Sequence, residues 1–212
     1  MFNIKGEEKQ ILGKGNLWIV KEIQLDNPIS INGNLYNNVA CKFSLKKSQE
    51  HIDQNLRIYQ ALKKSNIPTL EFMDKGYLED ENCLITENLA NREDILFVSP
   101  NTLRNKDISF LRFLLHKEYD YVQPKNETCL FNRKIDKIIN FNDFLKRSNK
   151  QIRLLSGKRL DLCEDALFLG VDKKTWNEQK DWVVADFDNI KINYAGDESD
   201  DELFNKNMHV FF

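Results

Sequence analysis

The chain is poor in the residues that build metal clusters, disulfide frameworks and flexible linkers. Its 212 residues include only 4 cysteines, 3 histidines, 8 glycines and 4 prolines. The cysteines and histidines are widely spaced and form no CxxC pair, which excludes the common zinc and disulfide patterns and predicts folding in a reducing cytoplasm. Neither a low-complexity linker nor an internal repeat interrupts the sequence.

Long apolar runs and an excess of charge of one sign are lacking as well. No apolar run approaches the roughly 20 residues that a transmembrane helix needs, and the first residues, MFNIKGEEKQ, are too polar for a signal peptide. The 31 basic and 33 acidic side chains give a net charge of -2, so no global basic field points to nucleic acid. We therefore expect a cytoplasmic protein that neither spans a membrane nor binds nucleic acid.

The first part of the chain has the periodicity of strands around one helix. Residues 9–25 alternate apolar and polar positions around two glycines, which predicts a β-hairpin. The segment NNVACKFSL predicts a short buried strand, and apolar residues at helical spacing predict a helix from Gln49 to Lys64 that is capped by Ser48. The segments IPTLEFMDKGYL and NCLITENL then predict two strands around an acidic turn. The expected order is three strands, one helix and two strands.

Beyond Asn91 the composition changes, and we expect a boundary between two lobes there. The segments ISFLRFLLHKEY and FNDFLKRSNKQIRLLS predict helices, whereas DALFLGV and DWVVADF predict short strands. Residues 194–207 contain the acidic run DESDDE and are expected to form a solvated C-terminal tail. A chain of this length fits one large domain or two lobes and can bury a substantial core.

Two segments of the first part carry chemistry. GKGNLWIV, residues 13–20, places two glycines in an apolar stretch, although hairpin turns use glycine so often that this pair alone has little weight. VACK, residues 39–42, places a lysine on an apolar strand, where a surface role explains it poorly. Together the two segments resemble, in the same order, the glycine-rich loop GxGxxGxV and the VAIK strand of protein kinases.

The resemblance to kinases implies a set of nucleotide-binding residues. In the kinase loop the glycines let backbone amides approach phosphate oxygens, the valine covers adenine, and the strand lysine pairs with the α- and β-phosphates. LITENL, residues 84–89, resembles the last strand before the kinase hinge and the hinge itself, with Thr86 as the gatekeeper. By this resemblance the ligand is ATP, and the residues that bind it are Gly13, Gly15, Val20, Ala40, Lys42, Thr86, Glu87 and Leu89.

The resemblance also implies metal-binding and catalytic carboxylates in the second part. ADFD, residues 185–188, resembles the kinase DFG element and makes Asp186 a Mg²⁺ ligand. RLDLCEDA, residues 159–166, resembles the catalytic loop HRDLxxxN, which makes Asp161 the base that orients the substrate hydroxyl and places Ala166 where kinases have a metal-binding asparagine. Asp165 is then a candidate second ligand, because magnesium favours carboxylates. The pattern alone leaves open that Asp161 belongs to the polar stripe of a helix and that Asp186 merely ends a strand.

Three features depart from the kinase pattern. Trp18 stands where the third glycine of the loop normally lies, either as an anchor at the loop tip or as part of the core. Aligning the helix on Leu62 puts Asn55 at the place of the glutamate that pairs with the kinase lysine. After Asp188, which replaces the last glycine of DFG, too few residues follow for an activation segment. We therefore expect activity to depend on an activating protein partner.

The resemblance implies an α+β, protein-kinase-like fold of two lobes in a single domain, residues 1–212. Residues 1–89 would form an antiparallel five-stranded N-lobe with one helix, and residues 90–212 a shortened, mainly helical C-lobe. The implied function is ATP- and Mg²⁺-dependent phosphoryl transfer to a protein serine or threonine, with Lys42 and Asp161 as catalytic residues. Such reduced kinases resemble secreted bacterial effectors, which act in the cytoplasm of a host. The alternatives are a pseudokinase that binds nucleotide or protein, and a kinase for a small molecule.

Overall fold

The computed structural model describes residues 2–92, 94–98, 121–122, 138–139, 141–162, 166–172, 178–188, 190–192 and 198–211. The chain divides into two compact units, Met1–Asn91 and Arg92–Phe212. Both units contain strands and helices, which confirms the α+β class. Among the described helices, none combines the length and the apolar character that crossing a bilayer requires.

The first unit is a mixed six-stranded sheet with one α-helix. The chain order is β1 (Phe2–Ile4), β2 (Gly6–Lys14), β3 (Trp18–Ile31), β4 (Asn34–Ser44), α1 (Gln49–Lys64), β5 (Met73–Leu78), β6 (Glu81–Thr86) and a 3-10 turn (Leu89–Asn91). The strands lie in the order β1-β5-β6-β4-β3-β2. The expectation of five antiparallel strands is wrong by one, because β1 adds a sixth strand that is parallel to β5. A strand of 3 residues is too short for its periodicity to be recognised, and its partner β5 lies about 70 residues further along the sequence.

The sheet must curl strongly, because its two edge strands are neighbours in sequence. Only Lys5 separates β1 at one edge from β2 at the other. The backbone oxygen of Lys5 accepts a hydrogen bond of 3.0 Å from the backbone N of Asp26, which ties this connection to β3. The curl encloses a hydrophobic core. It consists of Phe72, which directly precedes β5, and of alternate residues of the strands, namely Ile4, Ile23, Leu25, Val39, Cys41, Phe43, Cys83 and Ile85. The fold of this unit therefore depends on the short N-terminal strand.

Helix α1 covers the opposite face of this sheet. Its predicted bounds and its cap are confirmed: Ser48 Oγ accepts a hydrogen bond of 3.4 Å from the backbone N of His51 at the first turn. One side of the helix is buried through Ile52, Ile58 and Leu62, and it packs against β5 and β6. The helix thus lies over strand residues whose side chains alternate with those of the enclosed core.

The described part of the second unit contains two helices and seven short strands. They are β7 (Ile95–Val98), β8 (Tyr121–Val122), β9 (Ile138–Ile139), α2 (Phe141–Gly157), β10 (Leu160–Asp161), β11 (Leu167–Asp172), β12 (Glu178–Val184), β13 (Lys191–Ile192) and α3 (Asp200–Phe211). Three antiparallel sheets result, in the orders β12-β11-β7, β10-β13 and β8-β9. Helix α2 and strands β11 and β12 confirm the predictions from their segments. The predicted helix at ISFLRFLLHKEY lies outside the described residues, and the described part is not mainly helical.

The chain forms a helix at Asp200–Phe211. The expectation of a solvated tail therefore holds for the exposed acidic residues of its first turn but is wrong for the buried side of the helix. Ser199 Oγ accepts a hydrogen bond of 3.2 Å from the backbone N of Glu202, whose carboxylate in turn accepts one of 2.6 Å from the backbone N of Ser199. This reciprocal capping box begins α3 and places its acidic residues in the first turn, where the helix dipole favours them. Leu203 and Asn207 are fully buried on the other side. The signal in the sequence was the spacing Ser-x-x-Glu.

Asn207 fixes α3 to the end of α2 and to the strand that follows it. Its Nδ2 donates hydrogen bonds of 2.8 Å to Ser156 Oγ and of 2.8 Å to the backbone oxygen of Leu160. Its Oδ1 accepts a hydrogen bond of 2.8 Å from the backbone N of Leu162. A fully buried amide with its donors and acceptor used in this way specifies one position of the helix.

Candidate functional site

A single row of paired residues crosses the first sheet from the glycine hairpin to the strand before the predicted hinge. Gly13 of β2 pairs with Val20 of β3, Val20 pairs with Lys42 of β4, and Lys42 pairs with Leu84 of β6. Paired residues on neighbouring strands point to the same face of a sheet. The glycine, the valine and the lysine that the sequence singled out therefore share one face.

The neighbouring row on the same face contains two more residues of the predicted nucleotide site. Ala40 of β4 pairs with Thr86 of β6, two residues from Lys42 and from Leu84 along their strands. Both side chains are buried, and Thr86 Oγ1 donates a hydrogen bond of 3.0 Å to the backbone oxygen of Glu87. Strand pairing thus brings Val20, Ala40, Lys42 and Thr86 together on one face of the sheet. Their role in nucleotide binding stays a prediction.

Lys42 is buried beneath an aromatic ring and against an amide. Only 7% of the residue is exposed, and Nζ donates a hydrogen bond of 3.1 Å to Asn55 Oδ1 in the middle of α1. The ammonium also lies 4.7 Å from the centre of the Trp18 ring, within the range of a cation–π interaction. The placement of Asn55 opposite Lys42 is confirmed. The helix therefore presents a neutral oxygen to this lysine through Asn55.

Trp18 is a core residue rather than an anchor on an exposed loop tip. It is the first residue of β3 and is 3% exposed. On the side facing α1 its ring makes a tilted contact with His51, with 6.2 Å between ring centroids and 45° between the planes. The Trp18 ring thus contacts Lys42 of β4 and His51 of α1, and these contacts link the glycine hairpin to the helix. No pattern in the sequence indicated this contact.

Neither backbone conformation nor packing explains why residues 13 and 15 are glycine. Neither has a positive φ angle, and a Cβ atom added to either would meet no described atom within 4 Å. Gly6 and Gly76 differ, because an added Cβ would collide with the backbone oxygen of Gln24 at Gly6 and with the side chain of Ile85 at Gly76. The packing of the sheet thus requires glycine at residues 6 and 76. The hairpin glycines leave an open space over their backbone.

A network of side-chain hydrogen bonds holds the segment after β6 against the sheet. No sequence pattern predicted this network. Asn88 Nδ2 donates hydrogen bonds of 2.6 Å to Asn38 Oδ1 and of 3.1 Å to Glu22 Oε1, and Asn38 Nδ2 donates one of 2.7 Å to the same carboxylate oxygen. Asn88 is 2% exposed, and the adjacent Glu87 and Leu89 are buried as well. The predicted hinge therefore has a defined position against β3 and β4.

In the second unit, Asp161 is held by a lysine of the C-terminal helix. It lies in β10, paired with Lys191 of β13, so it does not belong to a helical stripe. Its Oδ2 accepts a hydrogen bond of 2.6 Å from Lys206 Nζ, and 15% of its side chain is exposed. The carboxylate of Asp161 raises the pKa of Lys206 above its ordinary value. The role of Asp161 as a base stays a prediction.

Asp186 lies in a tight turn directly after β12. Its Oδ1 accepts a hydrogen bond of 3.2 Å from the backbone N of Asp188, and Phe187 between them is fully buried. The backbone N of Ala185 donates a hydrogen bond of 3.0 Å to the backbone oxygen of Ala166. The structure therefore brings Ala166, at the end of the segment predicted to be a catalytic loop, next to the Asp186 turn.

Of the two predicted magnesium ligands, Asp186 lies within the described residues. A carboxylate such as that of Asp186 has lone pairs for a cation beside its hydrogen bond to Asp188, which suits magnesium. Across the residues that the structure describes, no group of three or more His, Cys, Asp or Glu side chains is arranged to hold a metal ion. Asp165, the other predicted ligand, lies outside the described residues.

The chain matches no protein-family model, and no curated protein matches it significantly. The residues with functional chemistry are a buried lysine beside a glycine hairpin in the first unit and the carboxylates Asp161 and Asp186 in the second.

Proposed function

We propose that the chain is an ATP- and Mg²⁺-dependent phosphotransferase, an atypical minimal protein kinase acting on serine or threonine. The observation that carries the proposal is the row Gly13, Val20 and Lys42. This row places a buried lysine on the same sheet face as a glycine hairpin. No contact with neighbouring atoms explains why the hairpin residues 13 and 15 are glycine. A positive charge beside a hairpin with open space over its glycines suits phosphate oxygens.

In this proposal each candidate residue has one task. Gly13 and Gly15 let the backbone approach the phosphates, Lys42 neutralises their charge, and Asp186 is a ligand of Mg²⁺. ATP supplies the γ-phosphoryl group, and the metal ion offsets its negative charge. Asp161 accepts the proton of the attacking hydroxyl while the new oxygen–phosphorus bond forms and the bond to ADP breaks. Positioning and charge neutralisation provide most of the rate enhancement.

A pseudokinase is the second candidate, and specific contacts favour it. Lys42 is occupied by Asn55 and Trp18, and Asp161 is held by Lys206. Ala166 takes the place of a metal-binding asparagine. Such a protein would bind nucleotide or a partner without transferring phosphate.

Nucleotide binding is tested by thermal unfolding with ATP and Mg²⁺. At a ligand concentration one hundred times the dissociation constant, binding stabilises the folded state by about 2.7 kcal/mol. We expect a magnesium-dependent rise in Tm for the wild type and a smaller one for Lys42→Met and Asp186→Asn. Lys64→Met, at an exposed end of α1, is the control for a lost lysine and should match the wild type. A wild type whose Tm is unmoved by millimolar ATP would refute the nucleotide site.

Catalysis is tested separately by intact-mass analysis after incubation with Mg-ATP, alone and with cell lysate. A phosphate gained on any protein, and lost with Asp186→Ala, supports the phosphotransferase. Binding of nucleotide without any transfer would favour the pseudokinase.

A further inference from the structure

Lys42 is buried, and its ammonium contacts two neighbouring side chains that compete with any ligand for it. Trp18, at 3% exposure, covers it from the side of β3, and Asn55, also at 3%, holds it from the helix. Burial of an ammonium is costly unless other groups replace its hydration. The indole face and the amide oxygen supply part of that replacement.

Of these two neighbours, Trp18 is the one placed to move. Asn55 lies in the middle of a capped helix of 16 residues that packs on the sheet. Trp18 directly follows the hairpin turn, whose residues Lys14, Gly15 and Asn16 are exposed. The turn is closed by a hydrogen bond of 2.9 Å from the backbone N of Gly15 to the backbone oxygen of Trp18. A shift of the glycine hairpin therefore carries Trp18 with it.

We propose that Trp18 gates Lys42. In the unliganded protein the indole occupies the ammonium, and a phosphate group binds Lys42 only when the indole leaves it. The inference rests on the proposed nucleotide site and adds that Trp18 limits the affinity of that site for phosphates. Trp18 should also report ligand binding through its fluorescence, because its ring leaves the Lys42 ammonium whenever a ligand binds.

Removal of the indole should strengthen phosphate binding. A phosphate ligand must break the cation–π contact in the wild type but has no such contact to break in Trp18→Leu. We expect about tenfold tighter binding of Mg-ATP and of inorganic tripolyphosphate to this variant. Trp18→Phe keeps a ring of weaker attraction for cations, so its affinity should lie between those of Trp18→Leu and the wild type.

The affinities are measured by isothermal titration calorimetry on the full chain, with urea unfolding to show that each variant is folded. Trp18→Phe makes the smaller change to the core and carries the test if Trp18→Leu fails to fold. An affinity in Trp18→Phe that equals or falls below that of the wild type would overturn the gate. Tripolyphosphate, which has no base or sugar, shows whether the gate acts on the phosphates alone.

Fluorescence provides a second readout that a purely structural role of Trp18 would not produce. The chain has 3 tryptophans, Trp18, Trp176 and Trp182, of which only Trp18 belongs to the first unit. Mg-ATP should change the emission of the wild type and of Trp182→Phe, but not that of Trp18→Phe. An unchanged emission in the wild type at saturating ligand contradicts a moving indole.

The outcomes separate the gate from the proposed function. If the wild type binds Mg-ATP and both Trp18 variants bind no more tightly, the nucleotide site stands and the gate is wrong. If only the variants bind, the gate is supported, but the proposed function fails for the native protein, because its site is closed to nucleotide. If neither the wild type nor any variant binds Mg-ATP or tripolyphosphate, both proposals fail together.

Discussion

At the scale of single residues, glycine serves two different purposes in the first unit. Gly6 starts the strand that closes the curled sheet, and an added Cβ there would meet the backbone of Gln24, which cannot turn aside. Gly13 and Gly15 lie in the hairpin with open space above them. Stability therefore accounts for the first, whereas ligand binding is the proposed reason for the other two.

This difference gives a direct prediction from three alanine variants. Gly6→Ala should lower the free energy of unfolding by about 2 kcal/mol or more, because backbone atoms must separate to admit the methyl group. Gly13→Ala and Gly15→Ala should change it by no more than about 0.5 kcal/mol. Urea unfolding measures all three. Equal losses at residues 6 and 13 would show that the hairpin glycines also serve the fold.

A second prediction concerns Asp161, for which an ion pair and a catalytic role must be distinguished. If Asp161 is the base, Asp161→Asn should reduce phosphoryl transfer by about 100-fold or more while leaving Mg-ATP binding nearly unchanged. Lys206→Met breaks the same ion pair but keeps the carboxylate, so it is the matched control and should retain transfer. Phosphate incorporation is followed by mass spectrometry. Equal losses in the two variants would assign Asp161 to the structure of the unit alone.

A contact of the site could be predicted from the sequence where residues close together in the chain determine it. The meeting of Lys42 and Asn55 could be predicted, because helical spacing from Leu62 fixes which residue of α1 faces the sheet. The contact between Trp18 and Lys42 could not. The contact between Trp18 and Lys42 depends on the register between β3 and β4, and an irregularity in this pairing between Gln24 and Ile29 shifts that register. Asn207 was missed for a similar reason, since its hydrogen-bond partners lie about 50 residues away in sequence.

At the scale of elements, the C-terminal helix α3 shows how a charged segment can be structural. Its acidic residues occupy the first turn, where they compensate the helix dipole, and its buried side holds Leu203 and Asn207. The acidic run suggested a solvated tail, and the capping pair Ser199 and Glu202, whose spacing is typical of a helix start, was overlooked. The cap was the better guide because it specifies a local backbone conformation, and composition does not.

The cap makes the stability of this helix depend on pH. Hydrogen bonds from the backbone N and the side chain of Ser199 lower the pKa of Glu202 below its ordinary value of about 4.3. A carboxylate whose pKa is lowered by folding stabilises the folded state above that ordinary value. The contribution is lost as the pH falls through the lowered pKa. Glu202→Gln should therefore be less stable than the wild type at pH 7, and the difference should shrink below about pH 4.

Urea unfolding followed by circular dichroism at both pH values checks this dependence. Asp201→Asn, one residue earlier in the same exposed turn, is the control for the loss of a charge near the helix dipole. It also loses an ion pair of 3.1 Å with Arg153, which contributes little because both side chains are exposed. The two variants should differ at pH 7, because only Glu202 accepts the hydrogen bond from Ser199. Identical pH profiles would mean that the capping box contributes nothing beyond its charge.

A further variant at this scale tests the anchor of α3. Ser199→Ala removes the N-cap oxygen and should lower the free energy of unfolding of the second unit by about 1 kcal/mol. Asn207→Leu should cost more, because it leaves the buried hydroxyl of Ser156 and two backbone groups without the amide that binds them. The order of the two losses, measured in urea, is the prediction. A larger loss of unfolding free energy for Ser199→Ala would show that the cap, and not the buried side of the helix, contributes most to holding α3 in place.

At the scale of the whole molecule, the division at Asn91 separates two sets of candidate residues. Every predicted nucleotide-binding residue belongs to the first unit, and Asp161 and Asp186 belong to the second. The order of strands and helix in the first unit could be predicted, because hydrophobic alternation and a clear helix cap lie within short windows of sequence. The curl of the sheet could not be predicted, because it depends on β1, a strand of 3 residues that pairs with β5 far along the chain.

The enclosed core of the first unit predicts that residues 1–91 fold without the rest of the chain. All the residues of that core lie between Ile4 and Ile85, and β1 and β2 close the sheet at its two edges. We expect a single cooperative transition in urea, followed by the emission of Trp18, which is the sole tryptophan in this fragment. The matched control is a fragment of residues 6–91, which lacks Phe2 and Ile4 and therefore leaves β5 as an unpaired edge. It should lose several kcal/mol or fail to unfold cooperatively, since it gives up a buried isoleucine and a strand pairing. If both fragments unfold alike, the N-terminal strand is dispensable and the closure of the sheet has another cause.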